Sequence, residues 1–165
     1  MMSAERGLSP QQKENARHGA ADFPVVRYRT TLHATYQDVP PHWHEEAELT
    51  LITRGTSTYT IQLQSEDVRE GDILFVPPQM LHAVTTGGAE MDSDTFVFHM
   101  HFLGAGSGDV CSLRYLAPLS AQKLTPPVVI RRDHPAYDQL LRLIRDMNRT
   151  WEAREVGWEL MIKAQ

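Results

Sequence analysis

From Phe23 onward the chain alternates between apolar and polar positions in short runs. FPVVRYRTTLHATY is rich in β-branched and aromatic residues, which suit a pleated surface. ELTLITRG and TSTYTIQLQ follow, parted by a break at Arg54-Gly55. In the second run Tyr59, Ile61 and Leu63 share one parity while Thr58, Thr60 and Gln62 share the other. That pattern predicts a strand with one buried face. SEDVREGD reads as a polar turn, and ILFVPP as a short buried strand stopped by Pro77-Pro78. LHAVTT and DTFVFHMHFL read as strands on either side of a Gly87-Gly88 loop, and PVVIRR as a last strand. Residues 104–125, with Gly104, Gly106 and Gly108, read as a loop. Strands at this close spacing predict an antiparallel sandwich or barrel.

After Asp133-His134-Pro135 the period becomes helical, with Tyr137, Leu140, Leu141, Ile144 and Met147 or Trp151 on one stripe. A proline just inside the start is a usual helix opening. Asn148-Arg149-Thr150 reads as a turn, and a second helix is expected over residues 152–165. GWELMIKAQ ends inside an apolar stripe with no stop signal, which predicts that the natural chain continues. The stripe can serve the barrel of its own chain and the same helix of a partner, so a two-fold dimer is expected. Residues 1–22 are polar and without period; they read as a mobile tail with a short helical turn after Ser9-Pro10. Three segments result: a tail over 1–22, a barrel over 23–133 and a helical segment over 134–165.

Composition narrows the chemistry. A length of 165 residues can bury a core without covalent staples. Cys111 is the single cysteine, so an internal disulfide and a cysteine-based zinc cluster are both excluded. No base stands beside it in sequence, and it reads as inert. No apolar run approaches the ~20 residues of a membrane helix, and the N-terminus lacks the apolar stretch of a signal peptide. A cytoplasmic location fits. The net charge of −5 arises entirely within residues 25–133. An acidic middle segment argues against a nucleic-acid surface there, since phosphate binding needs clustered Lys and Arg.

The chemistry-bearing stretch is HWHEEAELTLITRG, residues 42–55. His42, His44 and Glu48 stand at even offsets, so a strand would turn all three to one face. Two imidazoles and a carboxylate are three arms of a divalent metal site, and His82, after GDILFVPPQMLH, is available as a fourth. The spacing at His42, His44, Glu48 and Gly55 resembles the first cupin motif. Gly71, Pro77 and His82 match the second, although Gln79 replaces its glycine and Thr86 its asparagine.

The wording HWHEE, EGDILFVPPQMLHAV and the following helices are similar to the N-terminal sensing half of AraC-type transcription regulators. The resemblance covers about residues 23–165. It implies a mostly β fold, a cupin (double-stranded β-helix, jelly-roll) barrel followed by an α-helical pair. It also implies a small-molecule effector in the barrel and a homodimer through the helices. DNA would be bound only through a helix-turn-helix half beyond Gln165. His42, His44, Glu48 and His82 fall on the cupin metal-ligand positions, so zinc, nickel, iron or manganese is a candidate cofactor. No catalytic residue is expected. The alternative is a metal-dependent cupin enzyme of dioxygenase or isomerase type; a storage or binding protein without an output half is a third reading.

His99 and His101 share a face if FVFHMHFL is one strand, and touch the effector if that face points inward. Trp43 has the opposite parity to its flanking histidines and reads as a packing residue. His33 and Tyr36 are candidates for the pocket mouth.

Overall fold

A computed structural model describes residues 9–36, 38–104 and 108–165; Gly106 and residues 1–8 lie outside the described residues. Eight strands form one bent sheet: β1 (Val25–Leu32), β2 (Asp38–His42), β3 (Ala47–Ile61), β4 (Gln64–Arg69), β5 (Ile73–Val76), β6 (His82–Thr85), β7 (Met91–Phe98) and β8 (Val129–Ile130). One path runs β1-β7-β3-β5-β8, while β6 joins β2 to β3 and β4 pairs with β3. All these pairings are antiparallel. The result is the expected cupin-type roll, with helices after it.

β3 belongs to both halves of the roll. Near its start Glu48 stands between Val97 of β7 and Val76 of β5; near its end Tyr59 stands between Glu66 of β4 and Val84 of β6. The register shifts between Ile52 and Arg54, and Gly55 takes φ +77°. A Cβ at Gly55 would lie 1.9 Å from the Glu90 carbonyl oxygen. Arg54-Gly55 is therefore a bulge within one continuous strand, not a turn between two. The turn comes later, at Gln62 and Leu63, whose φ values of 50° and 69° suit a tight hairpin. Tyr59 and Ile61 are buried as the alternation predicts, but Leu63 sits on the turn and is 87% exposed. SEDVREGD is likewise not all turn: it holds most of β4, with Val68 buried.

Strand alternation gives the sheet two apolar faces. Leu32, Ile52, Leu74, Val84 and Met91 fill the inside of the roll. Leu51 and Ile73, each next in sequence to an inward residue, point outward against the helices. Helix α2 (Tyr137–Ala153) lays Tyr137 and Ile144 on Leu51, Ile73 and Ile130. Met147 packs with Val25, Phe96 and Ile162, and Trp151 with Phe23, Phe96 and Trp158. Met147 and Trp151 are thus both on the stripe. A polar clamp crosses the same seam. Arg27 Nη2 and Asn148 Nδ2 each donate to Asp94 at 3.1 Å, and Arg27 Nη1 donates to Glu152 at 3.1 Å.

The helical region differs from expectation in one respect. α2 runs straight through Asn148-Arg149-Thr150 and ends at Arg154, which adopts a left-handed φ of 47°. The second long-range helix, α3, is Trp158–Ala164. Glu152 and Ala153, both good helix formers, continue the first helix past the polar triplet, and Gly157 marks the real restart. The stretch read as a loop also holds a π-helical turn at Ser112–Leu116 and a single turn, α1, at Ala117–Ser120. Among the described residues no helix is long and apolar enough to cross a membrane.

Residues 9–22 lie along the barrel. Ser9 caps the short 3-10 turn Pro10–Gln12. Lys13 then pairs with Trp43 as a parallel bridge. The Trp43 amide donates to Gln12 O at 3.0 Å, the Glu14 amide to Trp43 O at 2.9 Å, and the Trp43 indole to Ser9 O at 3.0 Å. Trp43 is thus the packing residue expected, and what it packs is the N-terminal segment.

Candidate metal and ligand centre

The histidines and Glu48 do not share one strand. His42 ends β2, His44 lies in the bend at residues 43–46, Glu48 is near the start of β3, and His82 opens β6. The bend, not strand parity, brings the first three together. β2 pairs with β6, so His42 faces His82 across the ladder. Donor atoms of His42, His44, Glu48 and His82 all lie within 4.8 Å of one another.

Two departures from the motif have structural accounts. Gln79 stands where the motif has glycine, and it does take a positive φ of 58°. That conformation costs a side-chain-bearing residue about 1–2 kcal/mol. It is offset by two bonds onto the His44 turn: Gln79 N donates to His44 O at 2.8 Å and Gln79 Nε2 to Glu45 at 2.7 Å. Thr86 lies after β6 in the Gly87-Gly88 turn, where its carbonyl accepts from Ala89 N at 3.1 Å.

Each imidazole of the ring is anchored through Nδ1 to a backbone carbonyl two residues away. His42 meets Pro40 O at 2.9 Å, His82 meets Met80 O at 2.8 Å, and His44 meets Glu46 O at 3.2 Å. A carbonyl only accepts, so Nδ1 carries the proton in each ring. Nε2 is then the nitrogen turned to the centre, the tautomer in which metal-bound histidines are usually held. His82 Nε2 is buried and has no hydrogen-bond partner among the described residues. His44 Nε2 lies 3.0 Å from Glu48 Oε1, and His82 Nε2 3.7 Å from the same oxygen, too long for a hydrogen bond. A proton on Nε2 or a metal ion between the groups would each satisfy this arrangement.

The electrostatics agree. Burial works to raise the Glu48 carboxyl, but the contacts with His44 and His82 outweigh it and hold the group below the ordinary carboxylate range. Burial and the neighbouring His82 push His42 down, favouring its neutral form. For His82 burial also lowers the value, yet Glu48 prevails and the net shift is upward. The residues present therefore fit a divalent ion: three converging imidazoles, one carboxylate held ionised and a buried nitrogen without a partner.

The ring opens on a cavity of about 280 Å³ inside the roll. Its walls carry hydroxyls from Thr30, Ser93 and Thr95 and apolar groups from Leu32, Val84 and Met91. A larger groove of about 600 Å³ runs beside Thr58, Asp67 and Arg131, but Arg131 is paired with Glu66 at 3.2 Å and no cluster of metal-type donors lies there among the described residues. The interior cavity is the one with converging donors.

Other expectations divide. Tyr36 lines the cavity, whereas His33 bonds to Thr35 at the end of β1. His99 and His101 do not share a strand face. β7 stops at Phe98, and His99 caps the 3-10 turn Met100–Leu103 by accepting from His101 N at 3.3 Å. They line an outer groove with Glu45 and Gln79. Cys111 is exposed. Two residues of the site escaped the sequence reading. Glu14 and His18 also line the cavity, and with His44 they form a second set of mutually close metal-type donors. No spacing rule links them to the motif; a buried position for His18 in a polar segment is visible only in the fold.

Several solved structures are similar to this chain at low identity. A cupin-like protein from Thermotoga maritima is 18% identical with a TM-score of 0.44, covering 48% of this chain and 60% of its own. An RmlC-like cupin from Methanocaldococcus jannaschii is 18% identical at 0.42, covering 46% and 70%. The polyketide cyclase RemF from Streptomyces resistomycificus is 22% identical at 0.41, covering 45% and 54%. In sequence, the chain is 35% identical over 71 residues to an uncharacterized HTH-type transcriptional regulator, YdeC, of Bacillus subtilis (strain 168). That match covers 42% of this chain and only 24% of the relative, so the chain spans a minor part of the relative's length. The sequence model of the AraC-like ligand binding domain matches residues 24–164, and the chain belongs to that family.

Proposed function

We propose that this chain is the sensing part of a transcription regulator, binding a small effector inside the roll beside a divalent transition metal held by His42, His44, Glu48 and His82. The observation that carries the reading is the set of four donors within 4.8 Å of one another at the edge of a cavity in the roll. Zinc, nickel, iron or manganese would suit nitrogen and oxygen donors of this kind. Such an ion, when bound, supplies a Lewis-acidic anchor for an oxygen of the effector. The chain's own residues do the rest. Thr30, Ser93 and Thr95 offer hydroxyls to polar groups, while Leu32, Val84 and Met91 select for size and apolar surface. An effector shifts the output only if it prefers one arrangement of barrel and helices.

On this reading the output is a helix-turn-helix part reading DNA, in a cytoplasmic homodimer joined through α2 and α3. Leu160 and Met161 of α3, 71% and 53% exposed, supply apolar surface for the pairing. Sedimentation tests it: a monomer only, at ~100 μM, counts against the dimer.

Elemental analysis of protein purified without a nickel column tests the metal, and less than about a tenth of an equivalent ends that claim. A thermal-shift screen of metabolites with and without metal tests the effector. A ligand at about 100 times its Kd adds ~2.7 kcal/mol, or roughly 5–11 °C for a chain this long. The same donor set favours a second reading, a metal-dependent enzyme of dioxygenase or isomerase type. Chemical conversion of a screened hit, rather than a bare shift, would select it.

A further inference from the structure

The second donor set has no place in the four-ligand ring. Pairing of Lys13 with Trp43 carries the N-terminal segment alongside the turn between His42 and His44. Glu14 Oε2 then lies 3.7 Å from His42 Nε2 and 3.3 Å from His18 Nε2. The His18 side chain is only 5% exposed. Its Nδ1 is held by the Tyr28 hydroxyl at 3.0 Å, and its ring centroid is 5.0 Å from that of His44. The turn that sets this ring is tight: a Cβ at Gly19 would lie 2.5 Å from Val25 N. His18 Nε2 is buried and receives no hydrogen bond among the described residues, although Glu14 is near. A buried polar nitrogen left this way is costly unless something completes it. Donor atoms of Glu14, His18 and His44 all lie within 4.8 Å of one another, which suits one ion with nitrogen and oxygen ligands.

We infer that Glu14, His18 and His44 form a second divalent-cation set, in which two ligands come from the N-terminal segment, so that the ion fastens that segment to the barrel. The inference rests on the reading of the histidine ring as a metal centre, because His44 is common to both sets; with Nδ1 bonded to Glu46 O, its Nε2 serves one ion at a time, so the two sets hold zinc alternately. Glu48 and His82 belong to the barrel set alone, so the two sets can be separated by mutation.

The test is amide exchange of peptides covering residues 9–22, in zinc chloride and in EDTA, with calorimetric zinc titration of the same samples. Zinc slows exchange of these peptides roughly tenfold or more in the wild type and in His82→Gln. The protection disappears in Glu14→Gln and His18→Gln, which still bind zinc through the barrel set. Three results overturn the inference: wild type that binds zinc with unchanged exchange, protection that persists in His18→Gln, or protection lost in His82→Gln. The first two leave the four-ligand reading standing. Wild type that binds no zinc sinks both. The wild-type comparison with and without zinc needs no variant to fold.

Discussion

Gly55→Ala isolates the backbone requirement behind the first motif. The substitution forces a side chain into φ +77° and places its Cβ 1.9 Å from Glu90 O, where ordinary contacts lie at 3.4–4 Å. Glu90 cannot withdraw freely, because the next residue, Met91, is paired with Gly55 itself. The positive φ costs about 1–2 kcal/mol, and relief of the overlap about 1–3 kcal/mol more. A total of about 2–5 kcal/mol is a large share of the 5–15 kcal/mol that holds a domain together. Gly88→Ala is the control. Gly88 has φ +96° but nothing within 4 Å of an added Cβ, so it pays the strain without the overlap. Urea unfolding, followed by tryptophan fluorescence and far-UV circular dichroism, gives both values. The Gly55 variant should be the less stable by about 1–3 kcal/mol. Equal losses to within about 0.5 kcal/mol would refute the overlap, and with it the account of why a glycine stands there.

Ile144→Ala leaves a hole between α2 and the outer face of the sheet, since Ile144 is fully buried against Leu51, Ile73 and Ile130; urea denaturation should show a loss of about 2–5 kcal/mol. Glu48 sits below its ordinary carboxyl value in the fold, so in metal-free protein the unfolded chain binds more protons in acid. The stabilisation is full above the unfolded value of ~4.3 and drains as pH falls below it. Glu48→Gln should flatten the dependence of Tm on pH in that window, and an unchanged slope would contradict the assignment. Asp94→Asn weakens acceptance from both Arg27 and Asn148; a double-mutant cycle with Arg27→Met should return a coupling of about 0.5–3 kcal/mol, and additivity would show the clamp to be idle.

Strand content was legible because buried and exposed positions alternate, and the helical stripe was legible because its period changes after Pro135. What failed was punctuation. Arg54-Gly55 carries the same residues whether the chain turns or bulges, and the deciding fact, the Glu90 carbonyl against Gly55, comes from a segment 35 residues on. His-x-His was likewise ambiguous, since a two-residue step keeps side chains together on a strand and can do so across a bend. The four donors could be named from spacing, while the reason they converge could not. Glu14 and His18 were out of reach altogether. Their position depends on the Lys13–Trp43 bridge, a tertiary contact that leaves no periodic trace in a polar segment.

The alternation of β7 has a mechanical corollary. Ser93 and Thr95 look into the cavity, while Asp94, between them, grips Arg27 and Asn148 on the far side. A strand is a single peptide thick, so the inner wall and the helix mount are the same few bonds. An occupant leaning on those hydroxyls would bear directly on the strand to which α2 is moored, with no relay of intermediate side chains needed. By the same geometry, load applied to α2 would bear on the shape of the space it backs.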